Sequence, residues 1–319
     1  MPELPEVETI RAGLALRVSG RQVGDVEVRH ERATRRNPGG AAELRSRLVG
    51  AVPDAAVRRG KYLWLPLAGT RRALVVHLGM SGQLLVRDPA AAREPAPAHL
   101  RIRVVFDDGG ELWFVDQRTF GHALVAPLVP TPDGAPGGRG SPEPALPEPV
   151  THIARDLLDP AVAPGSRGRA ELIGRLRGRR TGVKRALLDQ TVVSGIGNIY
   201  ADEGLWRARE NHATTAGALS PARWRILLDA VEAVMTDALA AGGTSFDALY
   251  VNVNGASGYF DTSLAAYGRA GQACRRCGAT IVREAFANRS SFRCPRCQPG
   301  ASPDDGPAGQ SRSADVQRT

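Results

Sequence analysis

Three groups of residues in this 319-residue chain have types and spacings that could do chemistry. Cys274, Cys277, Cys294 and Cys297 are the only cysteines, two C-x-x-C knuckles separated by sixteen residues. Each knuckle aims two thiolates at one point, and a hairpin joining the knuckles completes the four-sulfur tetrahedron that zinc prefers. Two disulfides would also use four cysteines, but that pattern belongs to secreted chains. With sulfur at all four positions no place is left for substrate, so the expected ion is one structural Zn2+, with no organic cofactor. The second group is Met1-Pro2-Glu3. Removal of Met1 would make Pro2 a secondary amine, a nucleophile toward a sugar's anomeric carbon whose iminium product is an electron sink for elimination. Glu3 could move protons there, and the positive end of the following helix favours the neutral amine. A proline and glutamates that merely open a helix would look the same.

The third group is KRALLDQTVVSGIGNIYADE, Lys184 to Glu203. Its first half reads as a helix with Leu187 and Leu188 inward; Gly195-Ile196-Gly197 turns the chain, and Asn198 caps a second helix whose early Asp202 and Glu203 suit its positive end. Amides at such a glycine-lined start can hold a phosphate; an ordinary αα corner fits equally well. Residues 165–185 upstream carry eight basic residues against Glu171 alone, and residues 269–296 carry seven Arg against Glu284 alone, with Arg289 between the knuckles. The whole chain has net charge +9 and pI near 10.1, which favours a polyanion as partner. Of its 42 basic residues only Lys61 and Lys184 are lysines. Arginine cannot release its proton, so a retained lysine is a candidate acid or base, although codon bias also produces such an imbalance.

These groups need a scaffold. Residues 5–19 place Val7, Ile10, Leu14 and Val18 at helical spacing behind Pro5. From 22 to 126 the pattern is short β runs, among them Tyr62–Leu67, Ala73–His77, Leu100–Phe106 and Glu111–Val115, with Asp107-Asp108-Gly109-Gly110 as a hairpin turn. No phosphate-binding glycine fingerprint of a nucleotide fold appears. Residues 127–150 hold eight Pro and four Gly and are expected to join neither sheet nor helix. Beyond them Ser220-Pro221 starts a helix with Trp224, Leu227, Val231, Val234 and Leu239 on one face, ended by Gly242-Gly243. From Gln298 to Thr319 aromatics are absent, and disorder is expected. The expected domains are 1–126, a linker or loop at 127–150, 151–263, 264–298 and a tail at 299–319. No apolar run approaches the roughly 18 residues of a membrane span, and the acidic start lacks a secretory pattern, so a cytoplasmic location without membrane contact is expected.

Taken together, PELPEVETIR at 2–11, RRGKYLWL at 58–65, HLGMSGQL at 77–84, DQRTFG at 116–121, the LLDQ to GIGNIYADE block and the zinc knuckles resemble the formamidopyrimidine-DNA glycosylase family over residues 1 to about 298. The resemblance implies an α+β, two-domain fold: an antiparallel β-sandwich with a flanking helix, then a helical domain with a helix-two-turn-helix motif and a β-hairpin zinc finger, with DNA in the cleft between. It implies excision of oxidised purines, 8-oxoguanine and formamidopyrimidines, from duplex DNA by a monomer, followed by β- and δ-elimination. Pro2 matches the family's Schiff-base nucleophile, Glu3 its general acid or base, Lys61 the proton donor of β-elimination, and Arg289 the zinc-finger arginine of δ-elimination. Glu6 matches a carboxylate near the lesion sugar; His99, Arg118, Arg179 and Asn198 match DNA contacts. Met80, Arg118 and Phe120 match the trio that fills the duplex when the damaged nucleotide turns out; without the family, Met80 and Phe120 would read as core. Asn288 stands before Arg289 where the family usually has Gly, and His212 where a proline is common. An endonuclease VIII-like enzyme for oxidised pyrimidines typically opens PEGPE, and Leu4 speaks against it. A non-catalytic zinc-finger DNA-binding protein would have no need of Pro2, Glu3 and Lys61 together.

Overall fold

A computed structural model describes residues 2–91, 95–242 and 264–300. Helix α1 (Leu4–Arg17) starts where expected, with Pro5 in its first turn, and buries Val7, Ile10 and Leu14. Two antiparallel sheets follow. One has the order β1 (Val23–Val28), β6 (Leu100–Phe106), β7 (Glu111–Asp116), β5 (Gly82–Arg87). The other runs β2 (Val57–Arg59), β3 (Tyr62–Leu67), β4 (Arg72–His77), β8 (His122–Pro130), β9 (Ala145–Pro147). In β6 the alternation is strict, with Leu100, Ile102, Val104 and Phe106 inward, as a sheet covered on one face requires. Strands β3 and β4 read instead as unbroken apolar runs, because both faces of their sheet are covered. Leu63, Leu65, Leu74 and Val76 join the sandwich core, while Trp64, Ala73 and Val75 pack with Leu146, Val150 and Ile153 on the other side.

That second face corrects the expectation for residues 127–150. The segment is part of the sheet: Leu128, Val129 and Pro130 pair with Pro147, Leu146 and Ala145. Pro147 is tolerated because β9 is an edge strand, where a missing N–H breaks no ladder, and Leu146 is fully buried.

A short helix α2 (Gly40–Leu48) packs Leu44 and Leu48 into the sandwich core. The helical part comprises α3 (Arg167–Arg177), the short α4 (Val183–Leu187), α5 (Asn198–Ala208) and α6 (Pro221–Ala240). Ser220 caps α6 by accepting the Arg223 N–H, and Trp224, Leu227, Val231 and Val234 form its buried stripe. Leu187 is buried as expected and Leu188 only partly. Leu4, at the start of the sandwich's own helix, lies in the helical core with Val193, Ile196 and Tyr200.

The hairpin β10 (Val282–Phe286) and β11 (Arg289–Arg293) completes the described chain. Gln298, expected to begin the disordered tail, is instead buried. It accepts the Cys294 N–H at 3.0 Å and donates to the Glu210 carbonyl at 2.8 Å, tying the finger to the end of α5. Gly243 and residues 301–319, included in the expected helix end and tail, lie outside the described residues. Among the described residues no helix is long and apolar enough to cross a membrane.

Leu4→Ala is expected to lower stability by about 3 kcal/mol, the usual cost of a cavity in a filled core. Denaturant unfolding followed by tryptophan fluorescence checks it, since Trp224 shares that core.

Candidate active site

The N-terminal segment meets the helical domain at one helix terminus. Gly197 is the N-cap of α5 and Asn198 its first residue, so Asn198 does not cap the helix as expected. The cap is the Glu3 carboxylate, which accepts the N–H groups of Gly197 (2.8 Å), Ile199 (3.1 Å) and Tyr200 (3.3 Å). The amides expected to hold a phosphate therefore hold a protein carboxylate. The geometry needs both glycines of the turn: at Gly197 a Cβ would collide with the Glu3 carboxyl, and Gly195 has φ +88° with Leu4 pressed against it. Gln190 fixes the same turn, accepting the Gly195 N–H and donating to the Ile196 carbonyl, each at 3.0 Å.

Pro2 is buried beside this junction. Glu6 accepts the Glu3 N–H at 2.9 Å and the Tyr200 hydroxyl at 2.6 Å, so it orients the segment that carries Pro2. Lys61 comes from the β2–β3 turn, where Gly60 (φ +56°) packs on Ser194. Its ammonium donates to the Ile196 carbonyl at 2.9 Å. Burial, opposed by Glu3 and Glu6 and reinforced by Arg289, lowers Lys61 below its ordinary 10.5. Burial likewise raises the Glu3 carboxyl above 4.5, with Lys61 and the helix amides opposing and Glu6 adding.

A cleft of about 390 Å³ opens over this junction, lined by Glu3, Met80, Asn198, Ile199, Tyr267, Arg283, Arg289, Ser290 and Phe292. Three separated motifs thus converge. Arg289 is exposed at the first position of β11. The positive φ of its two-residue turn falls on Ala287 (48°), so Asn288 in place of Gly carries no left-handed strain. Asn198 donates to the Ser290 carbonyl at 3.0 Å, linking the helix start to the finger.

Met80 sits in a turn whose Gly79 (φ +65°) lies against the backbone of Phe120 and Gly121. Phe120 is 42% exposed, with the Arg118 guanidinium 5.2 Å from its ring centre. The Phe120 loop is held from below by Asp116, fully buried, which accepts Ser81 Oγ at 2.6 Å and the Gly121 N–H at 2.7 Å. Arg35 holds it from the side by donating to the Phe120 and Gly121 carbonyls, both at 2.7 Å. His99 borders this loop, its carbonyl accepting the Asp116 N–H at 2.9 Å. Arg179 is not brought to the cleft; it is exposed after α3 and pairs with Asp189 at 3.0 Å.

The second lysine proves to be structural. Lys184 is fully buried and pairs with Asp202 at 2.7 Å, and Asp202 also accepts Ser291 Oγ (2.8 Å) and the Phe292 N–H (3.0 Å). Asp202 and Glu203 thus serve tertiary partners rather than the helix end as expected. Glu203 accepts the N–H groups of Ala265, Ala266 and Tyr267 at 2.8 to 2.9 Å. Lysine scarcity marked Lys184, but nothing in its spacing named its partner.

The four cysteine Sγ atoms lie within 4.8 Å of one another. Zinc–sulfur bonds of about 2.3 Å give tetrahedron edges of roughly 3.8 Å, so the residues fit one structural zinc ion. Trp206 Nε1 donates to Cys274 Sγ at 3.4 Å, joining the metal centre to α5.

Comparison with known proteins follows this plan. Residues 1–123 match the formamidopyrimidine-DNA glycosylase N-terminal domain, 161–249 the H2TH domain of the same proteins, and 271–300 the zinc finger found in FPG and IleRS. Formamidopyrimidine-DNA glycosylases of Kineococcus radiotolerans and Acidothermus cellulolyticus are each 58% identical over 309 and 300 residues, 94% of this chain and 98% of theirs. Lactococcus lactis Fpg complexed with abasic-site DNA has a TM-score of 0.76 at 27% identity, covering 93% of this chain and 100% of that one. A MutM complex with DNA containing carbocyclic 8-oxo-G has a TM-score of 0.76 at 28% identity, covering 94% and 100%.

Lys184→Met leaves Asp202 buried without its cation, and a loss of about 3 to 5 kcal/mol is expected. Chemical denaturation measures it. An unchanged unfolding midpoint would show that the pair contributes no order to the finger junction.

Proposed function

The chain belongs to the formamidopyrimidine-DNA glycosylase family, and on that premise we propose that Pro2, Glu3, Lys61 and Arg289 carry out its chemistry. It is a DNA-repair glycosylase and abasic-site lyase that excises oxidised purines from DNA. The observation that carries the residue assignment is the junction at α5. One helix terminus fixes Glu3 on the wall of a cleft that Arg289 reaches from the finger, and the adjoining Ile196 carbonyl fixes Lys61 beside it. One chain supplies every group, which supports action as a monomer on duplex DNA.

In the proposed reaction the Pro2 nitrogen, freed of Met1, attacks the anomeric carbon of the damaged nucleoside and loses its proton, and the base leaves with a proton supplied at its nitrogen. The C1′–O4′ bond then opens, with a proton taken up at O4′, to give the iminium. The iminium makes the 2′ hydrogen acidic; its removal expels the 3′ phosphate, and a second elimination expels the 5′ phosphate. Glu3 exchanges protons at the sugar. The Lys61 ammonium donates a proton during the first elimination, and Arg289 balances phosphate charge during the second. Glu6 holds the Pro2 segment in line through the Glu3 N–H and Tyr200. Met80, Arg118 and Phe120 fill the space of the extruded nucleotide, offsetting an unstacking cost of a few kcal/mol. Their support on Asp116, Ser81 and Arg35 makes that filling rigid. His99, Arg179 and Asn198 contact the flanking backbone, and the zinc ion holds the hairpin that presents Arg289.

Borohydride reduction during turnover of an 8-oxoguanine duplex is expected to crosslink DNA to residue 2, located by peptide mass mapping; a crosslink at any other residue overturns the assignment. A fixed N-terminal extension is expected to abolish nicking and preserve duplex binding in a gel-shift assay. Because Lys61 acts as the ammonium and burial lowers it, β-elimination should decline as pH rises through a midpoint below 10.5. That alkaline limb should be missing from the pH profile of Lys61→Ala. Competing excision of 8-oxoguanine and thymine glycol from otherwise identical duplexes is expected to favour the purine lesion.

A further inference from the structure

The loop between β8 and β9, residues 131–144, grips two places that meet at the catalytic hairpin. We propose that it is a strap that positions Lys61, with Asp133, Gly138 and Arg139 as positioning residues. The inference rests on the reading of Lys61 as the proton donor of β-elimination.

The first grip is on β2, three residues before Lys61. The Arg58 N–H donates to the Arg139 carbonyl and the Arg139 N–H to the Arg58 carbonyl, both at 2.9 Å. This exchange gives a short edge strand a second neighbour and pins its register. It is possible only because the strap lacks side chains there. A Cβ at Gly138 would run into the Arg58 carbonyl and the Trp64 ring, and one at Gly140 into the Ala56 carbonyl. The glycines that make the segment look like a linker are what let it dock. Arg139 then adds a contact to Glu8 at 3.1 Å, whose other oxygen accepts Arg58 Nε at 2.8 Å.

The second grip is on the chain that leads to the helical domain. Asp133 accepts Arg155 through both carboxylate oxygens at 2.9 Å, and the Pro136 carbonyl accepts the same guanidinium at 3.0 Å. The next residue, Asp156, accepts buried Arg58 at 2.8 Å and the Gly60 N–H at 3.1 Å. The strap therefore holds one partner of the ion pair that fixes Gly60, Arg58, and the residue just before the other, Arg155, and Lys61 follows Gly60 directly. Between strap and connector lies a cavity of about 900 Å³ lined by residues such as Pro136, Pro142, Leu158 and Ala161. Polar grips at its ends, rather than a filled core, hold the strap in place. It can be loosened without dismantling the sandwich.

The test uses the full chain with Pro2 free and compares Asp133→Ala, Asp133→Glu and Gly138→Val with Lys61→Ala. Three readings are taken: single-turnover cleavage of a preformed abasic site, affinity for an uncleavable abasic-analogue duplex, and the alkaline limb of the pH profile. Gly138→Val should slow cleavage about tenfold and Asp133→Ala about threefold, with affinity unchanged within twofold and Asp133→Glu near the parent rate. A loosened hairpin admits water to the ammonium, which faces Glu3, Glu6, His77 and Arg289, so the alkaline limb should move toward higher pH. Asp133 is half-exposed, so Asp133→Ala reports on the strap even if Gly138→Val fails to fold. A lowered melting temperature with cleavage rate and alkaline limb both at parental values would overturn the proposal. If Lys61→Ala slows cleavage and the strap variants do not, the strap alone fails; if Lys61→Ala cleaves at the parent rate, the assignment beneath it fails as well.

Discussion

A carboxylate seated on a helix terminus organises this molecule. Three backbone N–H groups and the positive end of the α5 dipole converge on Glu3, a charge-assisted arrangement stronger than neutral hydrogen bonds. Burial works against the charge, and Lys61 offsets part of that cost. The consequence is topological. The first few residues of the chain are held inside the second domain, with Leu4 in that domain's core, so the two halves cannot separate without exposing both an apolar side chain and a carboxylate. The glycines at 195 and 197 follow from the same contact, since any Cβ there would displace the residues beside the amine.

Two buried ionic clusters, three ion pairs in all, stand one step behind the reactive side chains. Arg58 with Glu8 and Asp156 fixes the turn before Lys61; Lys184 with Asp202 fixes the strand after Arg289. Desolvation cancels much of the attraction in such pairs, so their net contribution to stability is small. Their directionality is what serves the site: each charge also takes a backbone group of the hairpin it supports, the Gly60 N–H and carbonyl in one case and the Phe292 N–H in the other. Apolar packing of equal volume would leave those groups unpaired and the hairpins free to slide.

The sequence revealed those parts whose chemistry is local. Cysteine spacing identified the zinc centre because a knuckle is a few residues long, and β6 and α6 were legible because alternation and helical stripe survive wherever one face meets solvent. Residues 127–150 misled because proline and glycine counts describe propensity, whereas edge pairing and close backbone approach are properties of what lies alongside. Asn198 looked like a cap for the same reason: the acceptor that displaced it is Glu3, which lies 196 residues before Ile199, whose N–H it takes. Gln298 resembled the tail in composition, yet its amide is enclosed by the finger and α5. Asp116 and Ser81 lie in recognisable motifs and Arg35 in none, and their shared task of bracing the Phe120 loop appears only once the strands are in place.

The near-complete replacement of lysine by arginine has a practical corollary. With Lys184 sealed in its ion pair, Lys61 is the one lysine that is not fully buried. Burial also favours its unprotonated form relative to an ordinary lysine. An amine-selective acylating reagent would pass over the forty arginines and report on Lys61 and the amine of the processed Pro2 alone. Both lie at the lyase step, so occupancy of the cleft could be followed as protection of these two sites from labelling, told apart by peptide mapping.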